Sequence, residues 1–448
     1  MNILLVGNGA REHALAQALS KSSNAVFGFL SSPNPGIEAV CRKTVRGNLD
    51  DASALTKFAK EVNADFAVFG PEAPLAAGMA DALLEVGIPS FGPLKELAKI
   101  EWSKSFAREL MEKNGMDGLP KFRVFENEDG LDDYINSLGP CVVKADGLAS
   151  GKGVKVMGEH LKDAGEAVSY ARELLSAGGK VVVEEKLEGE EFSLMSVVDG
   201  RTVLDCPAVQ DHKRALEGDR GANTGGMGSY SCENHSLPFL QEGDLVEAHK
   251  ITEKVMAALE RETGRKFKGV LYGGFMATAS GVKLIEYNAR FGDPEAMNVL
   301  PVMKSDFAQV CKAVVEGRLD EFEGENGKNA LEFEKVATVV KYLVPQGYPD
   351  AGVKGAEITI DGEKLAASGA KLFYGNVSTK DGKLYTTGSR AIAILGIGKT
   401  LEEAGRKAEN GVGAVSGNLV HRRDVGTKEL IARRMERMGK MRGGSNKL

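Results

Sequence analysis

Val142-Val143-Lys144-Ala145-Asp146-Gly147-Leu148-Ala149-Ser150-Gly151-Lys152-Gly153-Val154 is the stretch whose reading decides the fold. Its apolar start reads as a strand, from whose end Lys144 projects. Gly147, Gly151 and Gly153 leave the following backbone bare, so amides can approach phosphate oxygens while lysine supplies the countercharge. A phosphate loop of the Gly-x-x-x-x-Gly-Lys-Ser/Thr kind does not fit. Only three residues separate Gly147 from Gly151, Gly153 follows Lys152, and Val154-Lys155-Val156-Met157 reads as a second strand, not a helix. The spacing predicts a hairpin whose glycine-rich loop folds over a nucleotide from above.

A second signal lies at Val282-Lys283-Leu284-Ile285-Glu286-Tyr287-Asn288-Ala289-Arg290. In a strand, Glu286, Asn288 and Arg290 share one face. A carboxylate and an amide carbonyl are hard oxygen ligands suited to Mg²⁺ (or Mn²⁺), which completes its shell with water and substrate phosphates. Arg290 is placed to hold a carboxylate or phosphate bidentately. Lys283, on the opposite face beside Ile285 and Tyr287, interrupts a simple buried/exposed alternation. In a third stretch, Val181 to Glu191, an apolar strand ends in carboxylates, as a hinge beside a nucleotide would. Backbone groups there can pair with an adenine edge, and a later carboxylate can accept ribose hydroxyls.

Around these signals the first hundred residues alternate strand and helix. Strands are expected at Ile3 to Val6, Phe27 to Leu30, Phe66 to Phe69 and Ile88 to Phe91, and helices at Arg11 to Leu19, Ala52 to Glu61 and Leu75 to Val86. That order implies a doubly wound parallel sheet with ligands outside its carboxyl ends. Gly7-Asn8-Gly9 falls at such an end, but Glu12 replaces the third glycine of a dinucleotide fingerprint. An anion or small-substrate site at this helix start is the expectation. Residues 211–230 read as a long polar loop whose glycines bring backbone near a ligand. The division expected is an α/β unit at 1–102 and a central unit at 103–319 with a lid at about 122–190. A linker at 320–334 and a separate α+β unit at 335–448 follow.

The 448 residues carry a formal charge of −6, which gives no footprint for nucleic acid. No apolar run is long enough for a membrane span. Cys41, Cys141, Cys206, Cys232 and Cys311 show neither paired nor metal-ligand spacing, so reduced thiols in a cytoplasmic enzyme are expected. Only the C-terminal stretch is basic, with Arg422, Arg423, Arg433, Arg434, Arg437, Lys440 and Arg442. It reads as a solvated helix without interleaved aromatics.

Taken in order, these motifs resemble the ATP-grasp ligases, and within them the glycinamide ribonucleotide synthetase family of purine biosynthesis. The resemblance runs nearly end to end. It rests also on Gly70-Pro71-Glu72-Ala73-Pro74-Leu75, Gln210-Asp211-His212-Lys213-Arg214, Asn223-Thr224-Gly225-Gly226-Met227-Gly228 and Glu286 to Glu295. It implies a pre-ATP-grasp unit, an ATP-grasp unit with a small lid, and a C-terminal α+β unit. It implies ATP-driven joining of glycine to 5-phosphoribosylamine through glycyl phosphate, in a monomer or weak homo-oligomer. By the same resemblance Lys104 and Lys144 contact the phosphates, beside Gly147, Ser150, Gly151 and Lys152. Glu184 pairs with the adenine amino group, Glu185, Lys186 and the amide of Leu187 form the hinge, and Glu191 holds the ribose. Glu286 and Asn288 bind the metal. Asp211, Arg290 and Asp293 serve glycine and the incoming amine, while Asn8, Gly9, Arg11 and Glu72 face the ribosyl phosphate.

Two departures from the family pattern stand out. Pro33 precedes Asn34-Pro35-Gly36 where glycine is usual, which forbids a positive φ there. Trp102 replaces a glycine two residues before Lys104. A sister ATP-grasp carboxylase or formate-dependent transformylase would differ at 211–228. A nicotinamide enzyme is disfavoured by Glu12, and a non-catalytic sensor by the presence of Lys144, Glu286 and Asn288 together.

Overall fold

The computed structural model describes residues 1–147, 153–323 and 329–443. The first unit is a five-stranded parallel sheet in the order Lys43–Arg46, Ala25–Leu30, Asn2–Val6, Phe66–Phe69, Ser90–Phe91. The edge strand Lys43–Arg46 escapes the sequence reading because its side chains are half-exposed and carry no apolar run. The helix expected over Leu75 to Val86 is two, Glu72–Ala77 and Met79–Glu85, broken at Gly78 with φ +90°.

Two four-stranded antiparallel sheets face each other in the middle of the chain. The upper one orders Phe122–Phe125, Val181–Glu185, Cys141–Ala145 and Val154–Val156, and the expected hairpin pairs Lys144 with Val154. Helices Leu131–Leu138 and Ala164–Ser176 cover it and close a small core of their own around Ile135, Val143 and Ala171. The lower sheet orders Val203–Asp205, Glu190–Val198, Gly269–Thr278 and Gly281–Asn288, backed by the long helix Glu242–Thr263. The cleft lies between the sheets.

Residues 211–230 are not a structureless loop. Gln210–Asp211 and Gly228–Ser231 pair with each other, and the second strand continues onto Ala337–Pro345, followed by Ile392–Gly398 and Lys371–Tyr374. Arg214–Leu216 and Arg220–Asn223 form a hairpin between them. These strands are short, polar and interrupted by glycine, and their partners lie near residue 340, so no local periodicity announces them. The C-terminal sheet therefore borrows two strands from the central unit.

The basic C-terminal stretch is a helix, Lys428–Met441, but not a solvated one. Leu430, Ile431, Arg434 and Met438 are buried, an i, i+1, i+4, i+8 stripe that the surrounding charges obscure. All five cysteines are free thiols. No helix among the described residues is long and apolar enough to cross a membrane.

Candidate functional site

The cleft is lined from all three units. Lys104, Lys144, Gly147, Glu184, Glu185, Lys186, Leu187, Glu191, Asp211, Glu286, Asn288, Arg290, Asp293, Arg11 and Glu72 reach it. Asn8 and Gly9 do not line it; Asn8 donates to Ser32 Oγ at 2.7 Å beside the first sheet. Ser150, Gly151 and Lys152 lie outside the described residues.

At its floor, three buried charges meet. Glu184 Oε1 accepts from Arg108 Nε at 2.6 Å, and Oε2 accepts from Arg108 Nη2 at 3.1 Å and pairs with Lys144 Nζ at 2.6 Å. Burial pushes the Glu184 carboxyl up, but Arg108 and Lys144 outweigh it and hold it down at about 2. Each carboxylate oxygen carries two lone pairs, so this engagement leaves acceptor capacity toward the cleft. Arg108 is fully buried and was not singled out by sequence. Its signal, one arginine in an amphipathic helix, is indistinguishable from an ordinary surface residue.

Arg108 and Lys144 also explain the broken alternation near Glu286. Gly274 pairs with Glu286 but Phe275 with Leu284, so Ile285 is the extra residue of a β-bulge. Before it Val282 and Leu284 point inward; after it Tyr287 and Ala289 do. Lys283 thus shares a face with Glu286, Asn288 and Arg290. Arg108 Nη2 donates to the Ile285 carbonyl at 2.6 Å and Lys144 Nζ at 3.2 Å, satisfying the group the bulge frees.

The Glu286 side chain makes no hydrogen bond or ion pair with another described residue, while Asn288 Oδ1 accepts from Arg290 Nη2 at 3.0 Å. Among the described residues no three His, Cys, Asp or Glu side chains converge. An uncommitted carboxylate beside an amide oxygen in a phosphate-sized cleft fits a magnesium ion completed by substrate oxygens, not a protein cage.

Lys104 opens the helix Lys104–Lys113, capped by Ser103, and donates from Nζ to the Gly147 carbonyl at 3.1 Å. Asp146 fastens the stem of the glycine-rich loop here, accepting from the Ser105 amide at 3.1 Å and Ser105 Oγ at 2.6 Å. Trp102 ends the preceding helix, Lys95–Trp102, so it alters the helix junction without displacing Lys104 from Gly147.

Arg290 is held by the first unit. Its Nη2 pairs with Glu101 Oε1 at 2.7 Å and its Nε lies 3.4 Å from Glu72 Oε2. Burial pushes the Glu72 carboxyl up, yet Arg290 and then Arg11 bring it to about 2. At the first helix, where an anion or small-substrate site is expected, the turn's Gly9 amide already has an acceptor from within the chain. Glu12 itself takes that place: it is 3% exposed and accepts from the Gly9 amide and from Arg11 Nε at 2.6 Å. A Cβ at Gly70 would stand 2.1 Å from Glu12 Oε1. The Pro33 loop instead presents Asn34, which caps the helix Pro35–Val40 and donates to the carbonyls of Asn8 and Tyr374, both at 2.8 Å.

The far end of the cleft belongs to the C-terminal unit. Asp293 Oδ1 accepts from Tyr342 Oη at 2.6 Å and Oδ2 lies 3.2 Å from Arg390 Nη2. Arg390 also donates to the carbonyls of Gly225, Gly226 and Asp293, tying the glycine-rich turn to the site. Gly226, at φ +106°, lets that turn pass close to Asp211, since a Cβ would stand 2.6 Å from Asp211 Oδ1. Asp211 Oδ1 is buried with no hydrogen-bond partner among the described residues. Burial, then the neighbouring Glu295, pushes its carboxyl well above the usual range.

Two opposed antiparallel sheets gripping a lysine-lined cleft, with a parallel α/β unit before them, define an ATP-grasp protein. The chain belongs to the phosphoribosylglycinamide synthetase family. Residues 1–101 match its N domain, 102–296 its ATP-grasp (A) domain and 338–428 its C domain. The chain is 48% identical to the phosphoribosylamine–glycine ligase of Methanocaldococcus jannaschii, over 99% of this chain and 100% of that one. It is 46% identical to the enzyme of the same name from Methanosarcina barkeri, over 99% and 100%. The crystal structure of phosphoribosylamine–glycine ligase from Thermotoga maritima superposes with a TM-score of 0.78 at 32% identity, covering 95% of this chain and 100% of that one.

Proposed function

We propose that this cleft joins glycine to the amine of 5-phosphoribosylamine, forming glycinamide ribonucleotide for purine synthesis in the cytoplasm. ATP phosphorylates the glycine carboxylate, the amine attacks the glycyl phosphate, and ADP and phosphate leave. The observation that carries the reading is the convergence in one cleft of charges from the first, central and C-terminal units. Lys104 and Lys144, with the loop Gly147 to Lys152, neutralise the phosphates as charge spreads in transfer. Glu286 and Asn288 would hold a magnesium ion, which would supply further positive charge against the phosphates. Glu184 keeps Lys144 in place and faces the adenine amino group, with Glu185, Lys186 and the Leu187 amide at the hinge and Glu191 on the ribose. Asp211, Arg290 and Asp293 receive glycine and the amine; Arg11 and Glu72, with Asn8 and Gly9 behind them, face the ribosyl phosphate. The units that bring these residues together are 1–102, 103–319 and 335–448, with a linker at 320–334.

The test is ADP release from Mg·ATP with glycine, with and without freshly generated 5-phosphoribosylamine. Release that needs both supports the reading. Release driven by bicarbonate or formate instead would keep the fold and end the assignment to glycine.

A further inference from the structure

The C-terminal helix begins where the matched C domain ends, at residue 428, so it lies beyond all three matched spans. Its arginines nevertheless reach the cleft. Arg434, 9% exposed, pairs through Nη2 with Asp219 Oδ2 at 2.9 Å and lies 3.8 Å from Glu190 Oε2. Arg437 pairs with Glu190 Oε1 at 3.3 Å, and Arg422 holds the other oxygen of Asp219 at 2.8 Å. At the helix end Arg442 grips buried Asp244 with two bonds, at 2.8 and 3.0 Å.

The two partners of Arg434 are informative by position. Glu190 precedes Glu191 in the strand Glu190–Val198. Asp219 sits at the turn of the hairpin that starts at Arg214, directly after Lys213. Glu191 and Lys213 pair with each other at 2.8 Å, across the mouth of the cleft. Arg434 thus braces, from behind, both chain segments that carry this pair. A helix serving only to cover apolar surface would need Leu430, Ile431 and Met438, and no buried arginine aimed at these two acids.

We propose that Arg434 is a positioning residue of the nucleotide site: by joining Glu190 to Asp219 it fixes Glu191 and Lys213 for the ribose hydroxyls. This rests on the nucleotide reading of the cleft above, but not on which acceptor is ligated. A guanidinium between two carboxylates holds both in one geometry; with a neutral side chain in its place Arg437 still pairs with Glu190 and Arg422 with Asp219, but the direct link between the two acids is lost.

The test is calorimetric binding of the Mg²⁺ complexes of a non-hydrolysable ATP analogue and its 2′,3′-dideoxy counterpart to the full chain. Wild-type protein should discriminate between them. Arg434→Gln should weaken the ribose-bearing analogue about tenfold, as loss of an outer supporting partner does. It should leave the dideoxy compound within about twofold, erasing the discrimination, and Arg434→Lys should restore part of it. Equal weakening of both analogues, or of neither, overturns the proposal, as does a wild type that does not discriminate. Should Arg434→Gln not fold, Asp219→Asn reads the same loss of discrimination, and its failure to do so is equally fatal. A wild type that binds neither analogue overturns the nucleotide reading and this proposal with it.

Discussion

Lys144 reaches Glu184 diagonally across neighbouring strands of the upper sheet, Nζ to Oε2 at 2.6 Å, with both side chains almost fully buried. The lysine that sequence reading places on phosphate is thus oriented by a carboxylate before any phosphate arrives. Lys144→Met should fold, because Arg108 still satisfies Glu184. Turnover should fall about 10²- to 10³-fold, the range for removing one preorganised electrostatic donor. Steady-state ADP release beside a circular-dichroism spectrum checks both halves.

Arg108 has a different role. Its removal leaves Glu184 with one cation and the Ile285 carbonyl short of its closest donor. Arg108→Met should destabilise the central unit by about 3–5 kcal/mol, the usual consequence of breaking a buried pair from one side. Urea unfolding measures it, and Arg108→Met with Glu184→Gln together should recover part of the loss.

The Glu286 side chain has no hydrogen-bond or ion-pair partner among the described residues, so its replacement should leave the fold alone. Glu286→Gln is expected to keep the wild-type melting temperature and lose turnover. Titrating Mg²⁺ to saturation checks it; substantial recovered activity would remove Glu286 from the metal site.

Gly70 is a packing test of the first unit. A methyl group there meets the buried Glu12 carboxylate at 2.1 Å, and Glu12 cannot retreat without abandoning the Gly9 amide and Arg11. Gly70→Ala should destabilise by about 1–3 kcal/mol, the range for overpacking, read as a lower thermal midpoint.

His13 supplies a pH dependence with a defined sign. Burial lowers it from 6.5 to about 4. Nδ1 accepts from the Tyr374 amide at 3.1 Å while the ring stacks on Tyr374. The unfolded chain therefore binds the extra proton first. Stability from this contact is complete above pH 6.5 and is lost as pH falls toward 4. An NMR titration of His13 should show its midpoint near 4, and His13→Gln should flatten the fall in melting temperature over that interval.

How much was legible follows from distance along the chain. The parallel sheet could be read because Ile3 to Val6 and Phe66 to Phe69 are short apolar runs between amphipathic helices. The hairpin around Gly147 and the face carrying Glu286 and Asn288 could be read from local spacing. Partners such as Arg108 for Glu184, Glu101 for Arg290 and Tyr342 for Asp293 could not, because a polar contact between residues far apart leaves no periodic mark. The bulge at Ile285 showed only as an oddly placed Lys283. The strands inside 211–230 were hidden because two-to-four-residue pairings carry too few side chains to alternate.

Those borrowed strands also set an order of events during synthesis. Gly228–Ser231 finds its outer neighbour only in Ala337–Pro345, and Arg390 fixes the turn at Gly225 and Gly226. Until the ribosome has delivered those later residues, Asp211 and the turn beside it pair with each other but lack the outer strand and the Arg390 contacts that complete their seating. A half-made chain can fold its upper sheet over its own small core, but the far end of its cleft stays unbuilt. The enzyme's chemistry is thereby withheld until translation is well into its final quarter.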